Sequence, residues 1–392
     1  MKMLMYGAGS IGRGFIGPLF AQAGFEVVFV DISAPIVEAL NKNGRYHYTV
    51  AAQPPYDVEV TGVRGVSGLD EAAVLAEIAS CDIMATSLGA AVLQRVAPLI
   101  ARGLVARFQT TGKPLDILIC ENLKNAAELL YGWLSDALPE EEQRDLAVRC
   151  GLVEAAIGRM VPVAPQTAGD PLHLSVEEYG FLPVDKDAFV GPIPKIEALV
   201  PYSPFAFYEE RKLYLHNMGH AICAYLGKLR GHEYIWQAVG DPTIRVAVQS
   251  AMTESAAMLS QRYSTPFSKI FDHAEDLLLR FSNQALGDTC ERVGRDPMRK
   301  LAQGDRLAGA MGLCGEWGVK PSYIALGFAA ALKEVTADAA EAWRIVTEHS
   351  KLAPGDADLV MELYAPLASG EDFSRVLQLA ERMQNRLRGK NV

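Results

Sequence analysis

The amino-acid sequence predicts a doubly wound α/β domain with a mostly parallel sheet at residues 1–195, followed by an all-α domain at residues 196–392. Two observations predict the first domain. Short apolar runs, typical of buried parallel strands, alternate with stretches in which apolar residues recur with the helical period, as in helices that cover a sheet. A third observation predicts the second domain, because from residue 205 onward the apolar pattern is almost entirely helical.

Four predicted strands are apolar runs, and two further segments are predicted from alternation of apolar and polar residues. They lie at residues 2–6, 26–31, 82–86 and 116–120, with a hairpin or edge strand at 58–66 and an extension of the sheet at 172–179. The covering helices are predicted at residues 11–23, 34–41, 69–78, 90–101 and 123–138.

A proline-rich stretch at residues 184–204 interrupts the strand pattern, and the domain boundary is placed there. Beyond it, helices are predicted at residues 205–229, 242–263, 268–281, 323–337 and 373–388.

Composition restricts the kind of partner. With 392 residues and 50% hydrophobic content the chain can fill two cores, and its net charge of -10 includes no basic block of the kind that binds nucleic acid or anionic membranes. No apolar run approaches the roughly 20 residues of a membrane span, and the N-terminal run is too short for a signal peptide. We therefore expect a cytoplasmic protein, monomer or small homo-oligomer, that binds a small molecule.

The cysteines are scattered along the chain and include no Cys-x-x-Cys pair. This pattern favours reduced, mostly buried thiols over a disulfide framework or a zinc site, so no metal is expected. The cysteines are Cys81, Cys120, Cys150, Cys223, Cys290 and Cys314.

A glycine-rich turn follows the first predicted strand and opens the first predicted helix: Gly7, Ala8, Gly9, Ser10, Ile11 and Gly12. In that context the Gly-x-Gly-x-x-Gly spacing indicates a dinucleotide site. The first glycine permits the tight turn, the second lets the backbone approach the pyrophosphate, and the third lets the helix pack on the strand. The alternative is a glycine-rich turn without a ligand.

Asp31 ends the next predicted strand, where a carboxylate accepts hydrogen bonds from the adenosine ribose and repels a 2′-phosphate. NAD is therefore expected rather than NADP; the alternative is that Asp31 only caps the following helix. Further cofactor contacts are expected from Thr86, Ser87 and Asn122 at the ends of later strands, although strand-end turn residues without a ligand would look similar.

The helix at residues 209–228 carries the densest polar chemistry. At about 100° per residue, with Lys212 at zero, His216 lies near 40°, His220 near 80° and Asn217 near 140°. Dehydrogenation of an alcohol needs a base, which Lys212 can supply, and donors to the alkoxide, which Asn217 and His220 can supply. The alternative is an amphipathic helix with a solvated polar face.

The Lys212-x-x-x-x-Asn217-x-x-His220 spacing, downstream of Gly7-Ala-Gly-x-Ile-Gly-Arg-Gly-Phe15, resembles the polyol-specific long-chain dehydrogenase/reductase family. Segments along nearly the whole chain fit in the same order: Cys120-Glu-Asn122, Phe207-x-Glu209-x-Arg-Lys-Leu, Gly219-His-Ala, Ala224-Tyr-Leu-Gly227, the run from Arg292 to Leu301, and Gly304-Asp-Arg-Leu307.

The resemblance implies a metal-independent enzyme that interconverts D-mannitol 1-phosphate and D-fructose 6-phosphate with NAD. It implies Lys212 as general base, Asn217 as oxyanion donor and His220 as substrate ligand. It also implies an N-terminal Rossmann domain and a helical C-terminal domain with the active site between them. His216 is not part of the family motif and is expected to be a packing or rim residue.

Two segments depart from the family pattern. Relatives read Val-Asp-Arg-Ile before a proline, where this chain has Ile157-Gly158-Arg159-Met160-Val161-Pro162. The strand that ends at Tyr179 continues with Gly180-Phe181-Leu182, where an aromatic-rich turn is commoner. If this strand lines the substrate cleft, the changes bear on the identity of the substrate.

A phosphorylated hexitol needs converging basic groups, and the segment 292–306 supplies Arg292, Arg295, Arg299, Lys300 and Arg306. The alternative is a basic helix end that pairs with Glu291, Asp296 and Asp305. Two rival functions remain open: a family member acting on an unphosphorylated hexitol, pentitol or hexuronate, and a non-catalytic NAD-binding protein. The compact length resembles the phosphate-specific branch, and the intact Lys-Asn-His set argues against the non-catalytic rival.

Overall fold

The computed structural model describes residues 1–161 and 170–387, so Pro162 and Arg388 of the predicted segments lie outside the described residues. The chain forms two compact units, Met1–Ala206 and Phe207–Val392. The boundary predicted from the sequence lies after residue 195 instead. The stretch between the two positions contains a short strand, Leu199–Tyr202, which pairs within the first unit.

The strands of the first unit form a six-stranded parallel sheet and two small sheets. They are β1 (Lys2–Tyr6), β2 (Glu26–Asp31), β3 (Arg45–Val50), β4 (Tyr56–Thr61), β5 (Val63–Ser67), β6 (Ile83–Thr86), β7 (Leu115–Ile119), β8 (Cys150–Glu154), β9 (Ser175–Val176), β10 (Leu182–Asp185) and β11 (Leu199–Tyr202). The large sheet has the order β5-β2-β1-β6-β7-β8, so the strand order reverses between β1 and β6. In doubly wound sheets, ligands bind at such a reversal.

The helices of the first unit follow the strands that they cover. They are a π-helical turn (Gly12–Ile16) continued by α1 (Gly17–Gln22), then α2 (Ala34–Asn43), α3 (Glu71–Ser80), α4 (Ala90–Thr111), α5 (Ala126–Asp136) and α6 (Glu140–Arg149). Both faces of the large sheet are apolar and buried. Met3, Met5 and Phe29 belong to the core on one face, whereas Leu4 and Val28 belong to the core on the other.

The doubly wound prediction is confirmed, and several details of it are wrong. Residues 172–179 do not extend the large sheet, because β9 pairs with β3 in a separate sheet of order β4-β3-β9. Residues 58–66 do not form a hairpin, because Gly62 turns the chain at φ +70° and β4 and β5 enter different sheets; the edge-strand alternative holds for β5, which lies at the edge of the large sheet. The proline-rich stretch 184–204 includes β11, which pairs in parallel with β10.

The second unit is helical, as predicted. Its helices are α7 (Ala206–Arg211), α8 (Met218–Leu229), α9 (Ile235–Gly240), α10 (Pro242–Tyr263), α11 (Phe267–Phe281), α12 (Cys290–Gly294), α13 (Pro297–Leu301), α14 (Ala308–Glu316), α15 (Ser322–Val335), α16 (Ala339–Arg344), α17 (Pro354–Ala368) and α18 (Phe373–Leu387), with π-helical turns at Lys212–Asn217 and Ile345–His349 and a 3-10 turn at Gln284–Leu286. The predicted helix at 205–229 is therefore α7, a π-helical turn and α8 in continuous succession.

Carboxylate side chains that bind backbone N–H groups fix the starts of the central helices of this unit. Asp241 caps α10 by accepting hydrogen bonds from the N–H groups of Thr243 and Ile244, at 2.9 and 3.4 Å. The buried Glu254 carboxylate accepts hydrogen bonds from Tyr323 and Ile324, so a side chain of α10 caps the start of α15. All six cysteines of the chain are buried.

Candidate active site and cofactor turn

The glycine turn has the geometry that a dinucleotide site requires. Gly7 adopts φ +111°, and a Cβ on it would lie 2.3 Å from the Ser87 carbonyl oxygen. A Cβ on Gly12 would lie 2.1 Å from the Gly7 oxygen, whereas a Cβ on Gly9 would meet no atom within 4 Å. The turn thus excludes side chains at positions 7 and 12, and it leaves open space at Gly9, where the backbone can approach a pyrophosphate.

Asp31 ties this turn to the end of β2. One carboxylate oxygen accepts a hydrogen bond from Ala8 N at 2.8 Å, and the other accepts one from Ser33 N at 2.9 Å. Each oxygen has capacity for a further bond, so the carboxylate can hold the loop and also accept ribose hydroxyls. Ser10 is exposed and Ile11 is half-buried.

The loop between β6 and α4 lies beside the glycine turn. Ser87 N donates to the Tyr6 carbonyl at 2.9 Å, which places the ends of β1 and β6 together. Glu121, buried directly after β7 and its following cysteine, accepts hydrogen bonds from Leu88 N and Gly89 N at 2.8 Å each. Thr86 is buried and Asn122 is exposed. The structure therefore brings the predicted strand-end residues to one edge of the sheet and adds Glu121 as the group that shapes the loop.

Arg13 supports the glycine turn from beneath, a role that the sequence analysis missed. Its Nε donates to the Ala8 carbonyl at 2.6 Å, and its Nη1 donates to the carbonyl oxygens of Pro171 and Leu172 at 3.1 and 2.5 Å. The Arg13 carbonyl accepts a hydrogen bond from the Tyr46 hydroxyl at 2.6 Å. The signal in the sequence was an arginine between two glycines in an otherwise apolar segment, because such a charge needs several acceptors if it is buried.

Two large apolar side chains remain exposed next to Asp31. Ile32 is 73% exposed and Leu69 is 77% exposed, and they follow the ends of the paired strands β2 and β5. Gly68 lies between them, where a Cβ would be 3.3 Å from Ile32 Cγ2. Such a surface can hold the flat face of a nucleobase.

The segment that contains Lys212 and Asn217 is a π-helical turn, which corrects the helical wheel of the sequence analysis. Met218 N donates to the Leu213 carbonyl, five residues back. In π geometry, residues five apart lie one above the other, whereas the α-helical wheel puts Asn217 about 140° from Lys212. The turn therefore brings Lys212 and Asn217 to one side of the helix axis.

His220, one turn further along α8, is held by a carboxylate and a ring. Its Nε2 lies 3.3 Å from Asp288 Oδ2, and its ring stacks on Phe281 with centroids 4.6 Å apart. Asp288 also accepts hydrogen bonds from Arg292 Nε and Nη2, at 2.7 and 2.6 Å. Although burial alone would raise the pKa of Asp288, His220 and Arg292 hold it below its usual value. Asp288 thus connects the predicted substrate ligand to the first predicted phosphate ligand.

His216 is buried between the same groups. Its ring centroid lies 5.9 Å from that of Phe281 and 6.1 Å from that of His220. Burial, together with nearby cationic groups that include Arg280 and Lys212, lowers its pKa well below the usual value. His216 is therefore a neutral packing residue in this structure.

The basic segment 292–306 is interrupted and rich in ion pairs. Helix α12 ends at Gly294 and α13 begins at Pro297, so Arg292, Arg295 and Arg299 do not share one helical face as the spacing allowed. Arg299 Nε lies 3.0 Å from Asp296 Oδ2, and Arg306 Nε lies 2.9 Å from Asp305 Oδ1. Of the predicted acidic partners, Glu291 pairs instead with Lys228, at 2.9 Å.

Lys300 is the buried one of the five basic residues in this segment. Its ammonium group donates to the Arg295 carbonyl. Burial, followed by the charges of Arg306 and Arg299, lowers the pKa of Lys300 to about 8. The charges of Arg306 and Arg299 thus disfavour the protonated form of Lys300, whereas the charges of Asp296 and Asp305 favour it.

The segment at residues 157–161 lies against residues 177–179, which directly precede Gly180. Met160 N donates to the Glu177 carboxylate, and a Cβ on Gly158 would lie 3.0 Å from the Tyr179 ring. Arg159 extends from this region to the π-helical turn at Gly12–Ile16, where its Nη1 donates to the Gly14 carbonyl at 2.8 Å.

Some classes of site have no counterpart in the described part of the chain. Within residues 1–161 and 170–387, no group of three or more His, Cys, Asp or Glu side chains is placed to hold a metal. In the same residues, no helix is long and apolar enough to cross a membrane.

A parallel sheet of this order with a glycine turn at its reversal defines a Rossmann-type domain, joined here to a helical unit. The model of the mannitol dehydrogenase Rossmann domain matches residues 1–198, and that of the mannitol dehydrogenase C-terminal domain matches residues 205–382. The chain belongs to the mannitol dehydrogenase family.

Solved structures share this fold at low sequence identity. A D-sorbitol dehydrogenase in substrate-free form has a TM-score of 0.78 at 15% identity, and the match covers 97% of this chain and 94% of that one. The Pseudomonas fluorescens mannitol 2-dehydrogenase, in a ternary complex with NAD and D-mannitol, has a TM-score of 0.73 at 15% identity with the same coverage. An octopine dehydrogenase in complex with NADH and agmatine has a TM-score of 0.51 at 12% identity.

Proposed function

We propose that this protein is an NAD-dependent polyol-phosphate dehydrogenase of the mannitol-1-phosphate 5-dehydrogenase type. It interconverts D-mannitol 1-phosphate and D-fructose 6-phosphate, with hydride transfer at carbon 5 of the mannitol skeleton, which is carbon 2 of the ketose. The observation that carries the proposal is the π-helical turn, which aligns Lys212 with Asn217 one turn before His220, in a chain of the mannitol dehydrogenase family.

The first unit supports NAD as the cofactor. The open space at Gly9 fits a pyrophosphate, and Asp31 fits the ribose hydroxyls while opposing a 2′-phosphate. We assign the cofactor contacts to the glycine turn, Asp31, Thr86, Ser87 and Asn122. Bound NAD supplies the hydride acceptor for oxidation of the alcohol.

The residues of the second unit supply the proton chemistry. As the hydride leaves carbon 5, the hydroxyl proton on that carbon passes to Lys212 Nζ, which acts as general base. The Asn217 amide donates a hydrogen bond to the oxygen as it gains negative charge, without changing its own charge. His220, held by Asp288 and Phe281, hydrogen-bonds a neighbouring hydroxyl and so fixes the reacting carbon. In ketose reduction, Lys212 returns the proton.

The substrate phosphate is assigned to Arg292, Arg295, Arg299, Lys300 and Arg306. The support for this assignment is that Arg299 and Arg306 lie near the buried Lys300 and disfavour its positive charge, an effect that a phosphate dianion would offset. The Arg292 guanidinium shares Asp288 with His220, so binding of the phosphate and placement of the reacting carbon would be coupled.

A second candidate is a dehydrogenase of an unphosphorylated polyol or hexuronate. Arg292, Arg299 and Arg306 form ion pairs with aspartates. These pairs favour the second candidate, because the aspartates neutralise part of the positive charge that a phosphate would need. The two neighbours named for sorbitol and mannitol also favour it.

NADH oxidation with fructose 6-phosphate, fructose and fructuronate in parallel separates the candidates. We expect turnover of fructose 6-phosphate alone. Turnover of only an unphosphorylated ketose would refute the phosphorylated substrate and leave the family chemistry intact. Activity of Lys212→Ala within tenfold of the parent would refute the role of Lys212 as base, because positioned general bases contribute about 10²–10⁴-fold.

A further inference from the structure

The π-helical turn at Lys212–Asn217 is held from outside its own helix. Ser255 lies within α10 and is fully buried. Its hydroxyl donates to the Tyr214 carbonyl at 2.6 Å, across 41 residues of sequence. This hydrogen bond reaches the middle of the segment that carries Lys212 and Asn217.

A π-helical turn needs such support more than an α-helix does. The widened turn shifts the backbone pairing from four to five residues, and it is rare outside single turns. Where α and π pairing meet, a carbonyl can lose its ordinary donor, and a buried carbonyl without a donor is costly. The Ser255 hydroxyl supplies a donor to the carbonyl within that turn.

Close contacts with neighbouring residues also surround the π-helical turn. Gly219 faces Met252, where a Cβ would lie 2.7 Å from Sδ. Met252 and Ser255 are three residues apart and so lie on one face of α10. Gly309 faces the Tyr214 ring, where a Cβ would lie 2.7 Å from Cε1. The turn is thus fitted closely on the sides of Gly219 and Tyr214.

We propose that Ser255 is a positioning residue for the reaction of the second unit. Its hydroxyl holds the π-helical turn that places Lys212 and Asn217 one above the other. The proposal rests on the proposed function, since it takes Lys212 and Asn217 as the groups that contact the substrate. Relaxation of the turn to α pitch would separate their side chains by about 140° around the helix axis.

The test uses two pairs of side chains that differ at the hydroxyl position. Ser255→Ala removes the hydroxyl of the parent, and Ser255→Val replaces the hydroxyl of Ser255→Thr by a methyl group. We expect kcat to fall about 10- to 100-fold in Ser255→Ala and Ser255→Val, as for a small misplacement of catalytic groups. We expect Ser255→Thr to retain most of kcat, and NAD affinity to stay unchanged in all three.

Ser350→Ala is the matched control for loss of a buried serine hydroxyl. Ser350 is buried in the same unit, and its Oγ has no hydrogen-bond partner among the described residues. The pH profile of kcat gives a readout that general destabilisation would not move. We expect its base-dependent limb to shift in Ser255→Ala and to stay in place in Ser350→Ala.

The outcomes separate this inference from the proposed function. Full kcat in Ser255→Ala, together with loss of activity in Lys212→Ala, would overturn the role of Ser255 and leave the proposed function standing. Equal loss of kcat in Ser255→Ala and Ser350→Ala, with unshifted pH profiles, would also overturn it. Full activity of Lys212→Ala would instead overturn the proposed role of Lys212 as base, and with it the premise of this inference.

Discussion

Replacement of Glu121 by glutamine tests whether a buried carboxylate shapes the cofactor site. The Glu121 carboxylate accepts hydrogen bonds from Leu88 N and Gly89 N, at 2.8 Å each, just before α4 begins at Ala90. Glutamine offers one oxygen, so its amide NH2 would face the other backbone N–H. One hydrogen bond is lost, and the glutamine NH2 group then faces a backbone N–H group, so two hydrogen-bond donors point at each other.

The magnitude follows from these contacts. A hydrogen bond to a charged group contributes about 1.5–3 kcal/mol, and a buried donor without a partner adds a desolvation cost. We expect Glu121→Gln to lower the free energy of unfolding by about 2–4 kcal/mol. The same loop carries Thr86 and Ser87, so we also expect the Kd for NAD to rise about tenfold, which corresponds to about 1.4 kcal/mol.

Asp116 provides a matched control at the opposite end of the same strand. It is buried near the start of β7 and accepts hydrogen bonds from Val190 N and Gly191 N, at 2.9 and 3.1 Å. We expect Asp116→Asn to cost comparable stability in urea denaturation and to leave NAD affinity unchanged by calorimetric titration. Unchanged NAD affinity in Glu121→Gln, or an equal loss in both variants, would refute the reasoning.

Three further predictions follow from single side chains. Asp31→Ala should weaken NAD binding about 100-fold and narrow the preference for NAD over NADP, measured as the ratio of kcat/KM values; an unchanged ratio would contradict the ribose contact. Glu254→Ala should lower the free energy of unfolding by about 2–5 kcal/mol in urea, because Tyr323 N and Ile324 N lose their acceptor; a loss near zero would contradict the capping role. The pKa of Lys300 is lowered to about 8 from 10.5, chiefly by burial, so the unfolded chain binds more protons between these values and stability should rise with pH there. Lys300→Met should remove that rise relative to the parent, and denaturation curves from pH 8 to 10.5 with identical slopes for both proteins would contradict it.

The large sheet could be predicted because its strands are apolar on both faces. The predictions at residues 2–6 and 26–31 coincide with β1 and β2. The prediction at 82–86 begins one residue before β6, and the prediction at 116–120 is shifted by one residue at both ends relative to β7. Helix α6 and strand β8 were missed. The sequence of α6 is mostly charged, with only Leu146 buried, so it carries no apolar period to detect.

The candidate site could be predicted only where its residues form a short motif with a fixed spacing. The glycine turn and the Lys212, Asn217 and His220 spacing are such cases. Arg13, Glu121 and Asp288 were missed in their roles, because each acts on a partner that the pattern around it does not identify. A buried carboxylate that binds backbone N–H groups has the same sequence signature as one on the surface.

The π-helical turn shows most clearly why local pattern falls short. A helical wheel assigns a fixed rotation to every residue, so one π turn displaces everything after it relative to everything before it. The composition of residues 212–217 does not indicate π-helical pairing. The donor to the Tyr214 carbonyl is Ser255, and the tight contact at Gly219 is with Met252, so both contacts come from α10. The spacing of five residues between Lys212 and Asn217 therefore determines their relative position only together with the contacts that α10 makes to the turn. If Ser255 holds the turn as proposed, the relative position of the two catalytic groups is encoded in a helix that contains neither of them.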